Sequence, residues 1–147
     1  MMIPAQPNSF KYIGYKSINK NIIGSNCITS LCRDHKGILW IGTDNDGIYG
    51  ITTELKQKVH YAPHDSPSSV PSTVFGLYED SEHNLWFGSY TNGLGRLDKK
   101  TGQCSYLQNL TDKNGNRIQR VYDLVEDQDK RLWICLLYTS DAADDLT

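Results

Sequence analysis

One pattern, written three times at a fixed interval, limits what this chain can fold into. The copies are Leu31-Cys32-Arg33-Asp34-His35-Lys36-Gly37-Ile38-Leu39-Trp40-Ile41-Gly42, Leu77-Tyr78-Glu79-Asp80-Ser81-Glu82-His83-Asn84-Leu85-Trp86-Phe87-Gly88 and Leu124-Val125-Glu126-Asp127-Gln128-Asp129-Lys130-Arg131-Leu132-Trp133-Ile134. In each, Asp stands six residues before Trp, and Leu stands nine before and one before it. Ile28, Val74 and Val121 stand twelve before. The Trp positions step by 46 and then 47 residues. A period of that size, carried by strand-like segments, is the signature of a propeller blade, a unit that buries its faces by stacking on its neighbours.

Each period divides into four strand signals. Ile28 to Asp34, Val74 to Asp80 and Val121 to Asp127 are near-continuous apolar runs. Their length of about seven and their Val, Tyr and Phe content favour a strand covered on both faces over a helix. A tight reversal follows, in which the Asp carboxylate can accept backbone N–H groups two residues on. Gly37 suits a positive φ there; the later copies put His83 and Lys130 in its place, so their turns must either differ or carry strain of about 1 kcal/mol. The hairpin returns as Ile38 to Thr43 and Asn84 to Ser89. Asp46-Gly47 and Asn92-Gly93 signal the next turn. Third strands at Ile48 to Ile51 and Leu94 to Asp98 follow, then fourth strands around Val59-His60-Tyr61 and Gln103 to Leu107, with Phe10-Lys11-Tyr12 as the earlier counterpart.

The expected fold is therefore all-β: a partial β-propeller with two complete four-stranded antiparallel blades and a truncated third. A closed propeller has about 4–8 blades, so the 147 residues are expected to be part of a longer protein. Residues 1–9 read as an unanchored tail and 10–134 as the repeats. The joining loops, Ala62 to Thr73 and Gln108 to Arg120, are expected to be long, polar and exposed, where a rigid scaffold carries its binding groups.

A formal charge of −2 with no clustered basic face argues against nucleic acid and against membrane contact by this segment. No apolar run reaches the ~18–20 residues of a spanning helix, and Met1 to Pro7 lacks the regions of a signal peptide. Cys27, Cys32, Cys104 and Cys135 have no C-x-x-C spacing, which argues for isolated, mostly packed thiols. A Cys27 to Cys32 disulfide is the alternative, opposed by the place of Cys32 in a strand.

The residues singled out by recurrence are Asp34, Trp40, Gly42 and Gly47, then Asp80, Trp86, Gly88 and Gly93, then Asp127 and Trp133. All are expected to be structural: Asp as turn cap, Trp as filler between blades, Gly where backbone approaches closely or turns. A sugar-stacking platform is the functional alternative for the Trp residues. Asp44-Asn45-Asp46-Gly47 has alternate oxygen ligands, but the EF-hand pattern would place its first acid at Gly42 and its Glu at Thr53. His35, His60, His64 and His83 share no spacing, and no Ser-His-Asp or Cys-His arrangement is legible. No catalytic, cofactor or metal residue is expected, and no ligand-binding residue is assigned.

Asp-x5-Trp-[Ile/Phe]-Gly-[Thr/Ser], followed by Gly93-Leu94-Gly95-Arg96-Leu97-Asp98 and a Lys-Thr-Gly turn, is similar to the two-component regulator propeller repeat. His64-Asp65-Ser66-Pro67-Ser68-Ser69-Val70-Pro71 resembles the linker of that family. Gly50 and Thr52 depart from the pattern where the second copy has Arg96 and Asp98, a departure expected to weaken the turn chemistry of the first blade. The resemblance implies the extracytoplasmic, periplasmic sensor of a hybrid histidine kinase type receptor that responds to oligosaccharides released from glycans. The partners it implies are the remaining blades of the parent propeller and an oligosaccharide, with any kinase outside this chain. A propeller glycosidase or lyase, or an adhesion scaffold, is the alternative. Asp34, Gly37 and Trp40 are also similar to the Asp-box turn of sialidase-type propellers, although Asp and Trp stand one residue closer there. Residues 135–147 resemble the translation of a sequencing-library adapter and are expected to be a non-native tail.

Overall fold

The computed structural model of the protein describes residues 23–24, 27–52 and 58–136. Two four-stranded antiparallel sheets and a two-stranded one follow in chain order. The first blade is β1 (Ile28–Arg33), β2 (Leu39–Thr43), β3 (Ile48–Ile51) and β4 (Lys58–Tyr61). The second is β5 (Val74–Glu79), β6 (Leu85–Ser89), β7 (Leu94–Leu97) and β8 (Cys104–Tyr106). The third holds β9 (Val121–Glu126) and β10 (Leu132–Leu136). Each sheet is ordered as its strands occur in the chain, and the described residues form no helix. β5 touches β1 on one side and β9 on the other, so the first strand of every blade lies toward a common axis, as in a propeller.

Blades stack through apolar cores. Between the first and second lie Trp40, Ile48, Val70, Val74, Leu77, Leu85, Phe87, Leu97 and Cys104, all buried. Between the second and third lie Leu94, Val121 and Leu124, with Trp86 packed against them. Trp40 is 2% exposed and fills the space between blades. Trp133 is 58% exposed, because no described blade follows it.

Burial of the innermost strands on both faces holds only for β5. Leu31 in β1 is 61% exposed and Val125 in β9 is 55% exposed. Each of these strands has a neighbouring blade on one side only among the described residues, so its other face stays open. The loop Ala62 to Thr73 also departs from expectation. Its Val70 is 3% exposed inside the first interblade core, and Tyr106 Oη donates to the Ser69 carbonyl at 2.7 Å.

Gly50 belongs to β3, where it pairs with Trp40, and not to a turn. A Cβ there would stand 2.8 Å from Trp40 Cζ3; the indole lies over the missing side chain. In the second blade Arg96 pairs with Trp86 and its guanidinium stands 6.0 Å from the ring centroid. The departure from the repeat is thus a different way of covering the same ring. Strand β10 runs to Leu136, with Cys135 opposite Asp123 and Leu136 opposite Val121, two residues past the expected boundary at 134. Residues 1–9 and Phe10-Lys11-Tyr12 lie outside the described residues, as does 137–147.

Candidate functional site

Every Asp turn is built alike. Asp34 Oδ1 accepts the N–H groups of Lys36 and Ile38, each at 2.9 Å, and Oδ2 accepts Trp40 Nε1–H at 3.0 Å. Asp80 accepts Glu82 and Asn84 N–H at 3.0 and 2.8 Å and Trp86 Nε1–H at 2.7 Å. Asp127 does the same with Asp129, Arg131 and Trp133 at 2.8, 2.9 and 2.7 Å. Burial pushes the Asp34 and Asp80 carboxyls up. Hydrogen bonds from the indole and turn amides, joined at Asp34 by Lys99, outweigh it and hold both below the ordinary carboxylate range. Gly37, His83 and Lys130 close the three turns with φ of 84, 69 and 62°. His83 and Lys130 therefore carry the strain expected of a side chain in the left-handed region.

The glycines repeat too. Gly47 and Gly93 have φ of 74 and 72° and donate to the Ser72 and Gln119 carbonyls. The turns they close span four residues, with Thr43 and Ser89 hydroxyls accepting from Asp46 and Asn92 N–H, rather than the two-residue hairpins the dipeptides suggest. Gly42 and Gly88 admit close neighbours; a Cβ on Gly88 would stand 2.3 Å from the Val121 carbonyl oxygen.

Antiparallel pairing puts the Asp turns and the β7–β8 turn on one rim, and the β2–β3, β6–β7 and interblade loops on the other. On the Asp-turn rim, the first two blades bring together five charged or titratable groups. Glu79, at the end of β5, accepts His35 Nδ1 at 2.9 Å, the His35 backbone N–H at 2.9 Å and Lys99 Nζ at 2.6 Å. Lys99 also reaches Asp34 Oδ2 at 3.3 Å, and His83 Nδ1 stands 3.7 Å from Glu79 Oε1. The His35 and His83 rings stack with centroids 3.8 Å apart. Burial raises the Glu79 carboxyl, and the bonds from Lys99 and His35 outweigh it to leave it lowered. Asp34, His35, His83 and Lys99 line a cavity of about 260 Å³ together with Trp40 and Gly50.

The opposite rim is aromatic. Phe75 and Tyr122 are the second residues of β5 and β9, with ring centroids 5.4 Å apart. Tyr90 meets Phe75 edge-on at 6.0 Å, and the Arg120 guanidinium lies 4.6 Å over the Tyr90 ring. Tyr90 and Tyr122 are 45% and 50% exposed. Beside them a cavity of about 280 Å³ runs between Tyr90-Thr91-Asn92 and the loop that carries His64 and Ser69.

The cluster of His35, Glu79 and His83 was missed in the sequence because its members share no local spacing. Glu79 and His83 flank one turn of the second blade, and His35 stands about one period before them; that offset is the signal that places residues on adjacent blades. The Asp44 and Asp46 carboxylates are taken by protein donors: Thr73 Oγ1 on Asp44 at 2.8 Å, and the Tyr49 hydroxyl on Asp46. No disulfide joins Cys27 to Cys32. Cys104 is buried and its thiol is pushed up to about 12, whereas Cys27 and Cys135 are exposed, so the expectation of mostly packed thiols fails for those two.

The fold and its repeated Asp turns define blades of the β-propeller type. The family described as two component regulator propeller matches residues 22–45 and 68–91, the segments that contain the Asp34 turn and the β5–β6 hairpin with its Asp80 turn. Those two segments of the chain match the two-component regulator propeller repeat. It is similar to the extracellular domain of the hybrid two component system BT4673 from B. thetaiotaomicron, at 25% identity and a TM-score of 0.63 over 80% of this chain. A second structure of the extracellular domain of BT4673, described there as a one component system, matches at 26% identity and a TM-score of 0.58 over 77% of this chain. The chain spans 16% of the length of each of those proteins. No curated protein matches it. Among the described residues no helix is long and apolar enough to cross a membrane.

Proposed function

We propose that this chain forms part of the extracytoplasmic, ligand-sensing propeller of a two-component signalling receptor, and that its ligand is an oligosaccharide. The observation that carries the reading is the likeness to the extracellular domain of BT4673 across 80% of the chain. The aromatic rim suits the ligand class. Phe75, Tyr90 and Tyr122 offer ring faces to the C–H face of a sugar, and Arg120 adds a fixed donor for hydroxyl or carboxylate oxygens. Further blades of the parent protein cover the open faces that carry Leu31 and Trp133.

The role is sensing rather than catalysis. The recurrent carboxylates Asp34, Asp80 and Asp127 are each consumed by their own turn amides and indole, which supports a structural use and leaves the two-carboxylate chemistry of a glycosidase without its acids.

Titration of the purified chain with a panel of oligosaccharides, followed by calorimetry, tests the proposal. Binding is expected, with a loss of at least about tenfold on Tyr122→Ala or Tyr90→Ala, since exposed aromatics are frequent anchors. Absence of binding across the panel, or binding indifferent to both substitutions, overturns the assignment of this rim.

A further inference from the structure

We propose that His35, Glu79 and His83 form a binding site for a divalent transition metal of zinc's class, stapling the first blade to the second. Two imidazoles and one carboxylate are a ligand set suited to zinc, with a fourth position left for water. The donor atoms of the three residues all lie within 4.8 Å of one another. Tetrahedral ligands about 2.0–2.2 Å from an ion stand roughly 3.3–3.6 Å apart, so binding needs donor shifts of about an ångström. His35 Nδ1 is already 2.9 Å from one Glu79 oxygen, and His83 Nδ1 is 3.7 Å from the other.

Placement favours an ion as well. Glu79 is anchored at the end of β5 with its side chain 11% exposed, while both histidines open to solvent, which gives an entry path. His83 holds a positive φ where the equivalent residue of the first turn is Gly37. Lys130 holds the same position in the third turn, so this φ is the common geometry of the Asp turns; in the second blade it sets the imidazole against the ring of His35, 3.8 Å away. The sequence reading expects no metal here, because the three residues meet only when adjacent blades stack.

Lys99 defines the competing state. Its ammonium sits 2.6 Å from Glu79 Oε2 and 3.3 Å from Asp34 Oδ2. A dication among the three donors takes the Glu79 oxygen and leaves the ammonium to Asp34. Metal and lysine thus exchange for one carboxylate, and removing the lysine charge strengthens metal binding.

The test is calorimetric titration of the full chain with Zn²⁺, with Co²⁺ absorption as a coordination readout. One ion per chain is expected. His35→Ala and Glu79→Gln should each weaken binding by more than the roughly 10–100-fold typical of outer-shell partners, while Lys99→Gln should tighten it about tenfold or more. His83→Gly separates folding from ligation, since it relieves the backbone while deleting a donor: the variant should be at least as heat-stable as wild type yet lose the ion. His60→Ala, remote from the cluster, should leave binding unchanged. No saturable binding in either wild type or Lys99→Gln overturns the proposal, as does binding that survives both His35→Ala and His83→Gly.

Discussion

The indole N–H of Trp40 ends on the carboxylate of Asp34, 3.0 Å away and six residues back, and both groups are buried. The same bond joins Trp133 to Asp127 in the third blade at 2.7 Å, but there the indole is mostly exposed. Identical local chemistry therefore sits in two environments. Asp34→Ala strands two turn amides and a buried indole N–H, and is expected to cost about 2–4 kcal/mol. Asp127→Ala should lower the denaturant midpoint much less, because water takes over its bonds. Equal losses in urea titrations of the two variants would show that burial does not set the worth of this turn.

Lys130 closes the third Asp turn with φ of 62° and lies away from the metal cluster. Lys130→Gly is expected to stabilise by about 0.5–1 kcal/mol, the relief of left-handed strain less the added freedom of the unfolded chain. Thermal unfolding checks the sign.

Gly50 and Gly115 make a contrasting pair. A Cβ on Gly50 runs into the Trp40 ring at 2.8 Å, whereas one on Gly115 meets nothing within 4 Å, although its φ is 82°. Gly50→Ala should cost about 1–3 kcal/mol through overpacking and should blue-shift or broaden Trp40 fluorescence. Gly115→Ala should cost only the backbone penalty of about 1 kcal/mol, with fluorescence unchanged.

Acid should unfold the blades through Asp34, Glu79 and Asp80, all of which have folded-state pKa values below their ordinary ones. In the window between the lowered and the ordinary value the unfolded chain binds more protons, so stability rises with pH there. Full stability is expected above about pH 5, with progressive loss as pH falls through the carboxylate range. A flat profile down to pH 3 would contradict the lowered values.

The open faces predict association. Leu31, Val125 and Trp133 are 61, 55 and 58% exposed, on blades that among the described residues have a neighbour on one side only. Sedimentation of this chain should show concentration-dependent self-association, and Trp133→Glu with Leu31→Lys should reduce it. A monomer at all concentrations would show the blades content with one partner each.

Much of this architecture was legible because its cause is periodic. Asp34, Asp80 and Asp127 announce turns, Trp marks the strand that follows, and one period supplies four strands. The meaning of the six-residue interval from Asp to Trp was not legible, since only the curl of the turn followed by the return strand brings the indole N–H back to the carboxylate. Nor was Val70 readable as core, because its surroundings of Ser and Pro read as exposed loop while its side chain is swallowed by the next blade. The His35, Glu79 and His83 cluster needed the stacking of blades, which no local window contains.

Tyr61, in the last strand of the first blade, donates a hydrogen bond from its hydroxyl to the carbonyl of Lys99, 38 residues later. The outer edge of one blade is thus locked by a turn of the next, and that turn leaves a ribosome only after the whole second sheet has nearly been made. Synthesis should therefore mature such a protein with a lag of one blade, each sheet waiting on its successor for its final latch. Nascent chains arrested before Lys99 should leave β4 open to protease, and those arrested well beyond Tyr106 should protect it.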